Sequence, residues 1–79
     1  MALLISVAPV GDGWAVSSDA LDADLTFDGG ARAEAAARAL ADRCAENGLL
    51  TEVQIFLRDG ALAGRFVHPP RDEDAALAG

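Results

Sequence analysis

From Thr51 to Pro70 the chain reads "TEVQIFLRDGALAGRFVHPP", two apolar runs on either side of Asp59-Gly60. Asp-Gly in that setting is a strong two-residue hairpin signal, because both residues tolerate positive φ. Pairing outward from the turn opposes Leu57 with Leu62, Ile55 with Gly64, and Val53 with Phe66, all on one face. The other face carries Glu52, Gln54, Phe56 and Arg58 opposite Val67, Arg65, Ala63 and Ala61. A slip of one residue would turn every side chain to the wrong face. One register therefore serves both strands, and Pro69 and Pro70 end the second.

Upstream of the hairpin the period changes. "ARAEAAARALADRCAEN", Ala31 to Asn47, contains eight alanines, and alanine is the best helix former. At helical spacing Ala33, Ala36, Ala37, Leu40, Ala41 and Cys44 share a face, with Glu34, Arg38, Asp42 and Glu46 opposite. Glu34 and Arg38 stand in the favourable i,i+4 order. Asp28 is the expected N-cap, with Gly29 and Gly30 easing the turn, and Gly48 suits the position after the C-cap. So small a buried face lets the helix lie close to a sheet, over a thin core.

Further upstream, Leu3, Ile5 and Val7 alternate with Leu4, Ser6 and Ala8, the pattern of a mostly buried strand. "PVGDG" (Pro9 to Gly13) supplies a turn and "WAVSS" (Trp14 to Ser18) the hairpin partner. In "ALDADLTFDGG" (Ala20 to Gly30), Leu21, Ala23, Leu25 and Phe27 alternate with Asp22, Asp24, Thr26 and Asp28. A period of two over eight residues reads as a third strand with one wet face. A calcium loop begun at Asp24 would have Thr26, Asp28 and Gly29 in place, but Ala35 stands where the bidentate Glu belongs. The expected fold is α+β: a two-layer β-β-β-α-β-β domain over residues 1–68, with one helix on an antiparallel or mixed sheet. A flexible acidic tail is expected over 69–79.

With 79 residues, the chain can bury only about 60% of its unfolded surface. Domains this small usually draw on disulfides, a metal or a partner subunit. Cys44 is the only cysteine and His68 the only histidine, so neither an internal disulfide nor a four-ligand zinc site is expected. Self-association remains. Thirteen carboxylates face six basic residues, all arginine, for a net charge of -7. Nucleic-acid binding depends on cations that neutralise phosphates, so no nucleic acid is expected as a partner; a basic protein is. The opening run has no basic residue before it and breaks at Pro9, and no stretch approaches a membrane span. The expected compartment is the cytoplasm, without membrane attachment.

Candidate chemistry is sparse. His68 with Ser17 or Ser18 and Asp19 would supply a hydrolytic inventory, but triads are defined by geometry, and no nucleophile-elbow glycines flank the serines. Cys44 falls on the helix's inner face, where a free thiol is ordinarily inert. "GDG" and "DGG" lack phosphate-cradle spacing. No catalytic, metal-ligating or cofactor-binding residue is assigned. Phe56 lies with Arg58 and Arg65 on one strand face, as a stacking platform for single-stranded nucleic acid or the anchor of a protein interface. The acidic balance favours the protein. Trp14 reads as a core anchor first and an interface residue second.

"GWAV" (Gly13 to Val16), "FDGGARAEAAARALA" and "VQIFLRDG" together resemble a DUF-class family of short bacterial domains with no assigned activity, over about residues 3 to 62. Ile5 through Ala45 is also similar to the HicB-like antitoxins, whose partial ribonuclease-H fold runs β-β-β-α-β. That resemblance implies an acidic inhibitor of a basic RNA-cleaving toxin. The leading expectation is a non-enzymatic protein-interaction module, homodimeric through a sheet edge or the Phe56/Arg58/Arg65 face. A small-ligand-binding domain, with its pocket on the uncovered sheet face, is the third.

Overall fold

The computed structural model describes residues 2–70, so most of the expected tail lies outside the described residues. The elements are β1 (Leu3–Val10), β2 (Gly13–Ser18), β3 (Leu25–Phe27), α1 (Gly30–Glu46), β4 (Thr51–Phe56) and β5 (Leu62–His68). They form one five-stranded sheet in the order β3-β2-β1-β4-β5, with α1 packed on one face. The protein is a small α+β domain. The sheet is mixed: β1 and β4 run parallel and every other neighbouring pair antiparallel. Parallel neighbours need a long crossover, and α1 supplies it.

The core is as thin as the alanines imply. Ile5, Val7, Val16 and Val53 are fully buried under Ala33, Ala37 and Ala41. Trp14, Leu21, Phe27, Leu40, Ile55 and Phe66 are half-buried around that centre. Thr51 is the one buried polar residue among those described, and its hydroxyl donates to the Leu49 carbonyl at 3.1 Å. A buried hydroxyl without such an acceptor would carry a desolvation cost.

Four local expectations need correction. β1 runs on to Val10, with Pro9 paired to Trp14; Pro9 lies beyond the last rung with β4, Val7 to Ile55, so its missing donor leaves that ladder intact. β3 keeps only Leu25–Phe27 of the eight alternating residues. The chain must first reverse after β2, and Ser18 does this by accepting from Leu21 N–H through its carbonyl and from Ala20 N–H through its hydroxyl. The N-cap of α1 is Gly29, with no side-chain cap, rather than Asp28. Asn47 caps the C-terminus, and the bonds from Gly48 N–H to Ala45 O and from Leu49 N–H to Cys44 O complete a Schellman end at Gly48, φ 85°.

The fourth correction concerns the Asp59-Gly60 turn. The loop has three residues, Arg58 to Gly60, closed by Gly60 N–H to Leu57 O at 2.9 Å and Leu57 N–H to Ala61 O at 2.8 Å. Only Gly60 takes a positive φ, 86°. Asp59 instead uses its carboxylate to accept from Ala61 N–H at 2.9 Å, a local bond that aspartate readily makes in turns. The extra loop residue shifts the pairing to Phe56 opposite Leu62, and a bulge at Ala63 shifts it back. From Ile55 opposite Gly64 to Thr51 opposite His68 the expected register holds. Leu57 and Leu62, expected on the core face, are instead about half exposed, at 48% and 51%.

The start of β2 admits no side chain. A Cβ on Gly13 would stand 2.6 Å from the Phe27 carbonyl oxygen, whereas nothing crowds Gly29. Gly13→Ala should therefore destabilise the domain by about 1–3 kcal/mol, the usual cost of overpacking. Gly29→Ser should add a few tenths of a kcal/mol by supplying the absent cap. Denaturant midpoints of the two variants against the parent check both signs.

Candidate interaction surface

Strand alternation sends every second side chain away from α1, and no element among the described residues covers that second face. Its rows follow from the pairing. Ser17 stands beside Ser6, Ser6 beside Gln54, and Gln54 beside Arg65. This polar row crosses β2, β1, β4 and β5. On one side of it lie Thr26, Ala15 and Ala8 in register, with Phe56 two residues beyond Gln54. On the other side lie Leu4, Glu52 and Val67. Leu4, Val10 and Val67 remain 44%, 59% and 55% exposed, which is what an unpartnered face leaves open.

Arg65 and Glu52 form the main electrostatic feature of this surface. The guanidinium lies 2.7 Å from the carboxylate, with Arg65 60% exposed and Glu52 only 15%. Gln54 donates its amide to the other Glu52 oxygen. The hydrogen bond from Arg65, then that from Gln54, hold the Glu52 carboxyl below its usual range. The same carboxylate pushes Arg65 further up. Glu52 is shielded by these two side chains rather than by the core, so solvent screening keeps the contribution of the pair modest.

The four residues singled out from the sequence do not gather at one place. Phe56 and Arg65 lie on the uncovered face, Phe56 half-buried. Arg58 sits in the β4–β5 loop and donates to the Gly11 carbonyl at 3.0 Å, tying two loops together. Trp14 points to the helix side, its ring in contact with Gly30, where a Cβ would come within 3.0 Å of it. Ser6, Ser17 and Gln54 were missed. Their polarity is visible in the alternation of β1, β2 and β4, but the row exists only because β4 lies parallel to β1.

The other candidate groups are dispersed as well. His68 bonds Asp42 through Nδ1 at 3.0 Å, while β1 and β4 separate it from the serines of β2. That span is about 14 Å at ~4.8 Å per strand, too far for a hydrogen-bonded triad. Cys44 is free and buried. Among the described residues no three His, Cys, Asp or Glu side chains converge as a metal site would need. A depression of about 360 Å³ opens on the uncovered face between Leu4, Ser6, Ser17, Ser18, Asp19 and Asp24. No helix among the described residues is long and apolar enough to cross a membrane.

Because the folded state lowers the Glu52 pKa, its contribution is present above the ordinary value of 4.5 and is lost as the pH falls below it. Wild type should exceed Glu52→Gln in stability at pH 7, and the difference should shrink as the pH falls below 4.5. Urea unfolding in both pH ranges measures the difference. Comparison with family models, curated proteins and solved structures yields no match to this chain.

Proposed function

We propose that this protein is a small non-enzymatic interaction module of the cytoplasm that acts as a homodimer. The observation that supports the reading best is the uncovered sheet face: exposed Leu4 and Val67 flank the polar row on one side and exposed Val10 with half-buried Phe56 on the other, over a core whose largest fully buried side chains among the described residues are Ile5, Val7, Val16, Val53 and Thr51. A domain this thin gains from covering its second face. Aromatic and arginine side chains such as Phe56 and Arg65 are the types enriched at protein interfaces. Light scattering coupled to size exclusion at micromolar concentration should give twice the mass of one chain; a stable monomer would remove the reading.

A second reading, an acidic inhibitor of a basic RNA-cleaving toxin, is favoured by Asp19, Asp22, Asp24 and Asp28, all exposed around β3. Clustered charge of one sign steers an oppositely charged partner. This reading predicts a small basic protein encoded by a neighbouring gene that co-purifies with the chain. Absence of such a gene would exclude it.

A further inference from the structure

Two routes to a homodimer exist in a sheet of this kind, through an edge or through the bare face. Both edges are poorly suited to strand pairing. β3 is only three residues long, and β5 carries the bulge at Ala63 and is followed by Pro69 and Pro70. Short strands, bulges and prolines are the devices that blunt sheet edges.

The face, by contrast, complements itself. β1 is the middle strand, so a two-fold axis lying along it above the uncovered face would set β2 over β4 and β3 over β5 of a second copy. Each cross-strand row would then meet itself reversed. The polar row ends at Arg65, whose partly exposed guanidinium is bridged to Glu52 of its own chain, and at its other end Asp24 lines the depression beside Ser17 and Ser6. Reversal places the arginine of each copy over the aspartate of the other. The neighbouring row runs from small to large, Ala15 and Ala8 to Phe56, so reversal sets Phe56 against Ala15. The alternative axis, across the strands, would instead stack β5 on β5 and bring the two Arg65 side chains together.

We infer that the chain self-associates by packing the uncovered faces of two copies, with Arg65 of each paired to Asp24 of the other about an axis along β1. The inference rests on the homodimer reading above. The net charge of -7 on each copy opposes association in general, so a contact between two copies has to be locally complementary. Five strands at about 4.8 Å spacing and six residues at about 3.3 Å make a face of roughly 24 by 20 Å. Two such faces cover about 1,000 Å² in projection, near the lower bound for a specific interface. Sheets stacked in this way lie about 10 Å apart with strands within about 30° of alignment.

Charge exchange tests the geometry by sedimentation equilibrium, with circular dichroism to verify folding. Asp24→Arg replaces an exposed side chain and should weaken the dimer at least about tenfold by setting arginine against arginine. Arg65→Asp should do the same. The double variant Asp24→Arg/Arg65→Asp should recover the dimer, because the swapped charges meet again. Ser6→Arg, beside the axis, should give a folded monomer. A dimer that persists in Ser6→Arg, or a double variant no tighter than its single parents, would overturn this geometry while leaving a homodimer through an edge. A monomeric wild type would remove the homodimer reading itself.

Discussion

The structure depends on the close approach of one alanine-lined helix to the middle of the sheet. Ala33, Ala37 and Ala41 present only methyl groups, so the backbone of α1 comes down onto Ile5, Val7, Val16 and Val53 without a thick layer between. Interiors pack to near-crystalline density, and here that density is reached with few atoms. One helix cannot cover five strands. The sheet's margins are closed by larger half-buried groups: Trp14, Leu21 and Phe27 on the β3 side, Phe66 on the β5 side.

The β5 margin is held differently from the β3 margin. The row Glu34, Arg38 and Asp42, which helical spacing places opposite the alanines, does not all point to water. Arg38 lies over the Phe66 ring, 4.1 Å from its centroid, and is bridged to Glu34 at 3.1 Å. Asp42 meets His68 at the end of the same strand. Each contact is partly exposed and worth about a kcal/mol at most. Together they extend the cover of α1 one strand beyond the reach of its methyl groups, and Phe66 is covered partly by the Arg38 guanidinium.

The same constraint governs the other face. With a single helix spent on one side, no second element among the described residues packs over the side chains that alternate outward from β1, β2, β4 and β5. Small residues fill much of the middle, Ser6, Ala8, Ala15 and Ser17, while longer ones sit toward β4 and β5, Gln54, Phe56 and Arg65. The outer surface therefore has a low half over β2 and β1 and a high half over β4 and β5. That property belongs to the strand order and to no single strand.

Much of the fold was legible in the residues. Period-two alternation marked β1, β2, β4 and β5, the alanine run marked α1, and the apolar pattern of the last hairpin carried its register despite a misjudged turn. The alternation of residues 21–28 overstated β3, because the reversal after β2, held by Ser18, takes up the residues before Leu25. The local chemistry of the chain alone thus determined which segments extend, which one coils, and which side of each is oily. Tertiary structure alone decided that β4 lies parallel to β1 at the sheet's centre, and hence that Ser17, Ser6, Gln54 and Arg65 form one row. The reason is physical: alternation reports the face of a strand, whereas its neighbours are chosen by the crossover helix and the packing beneath it.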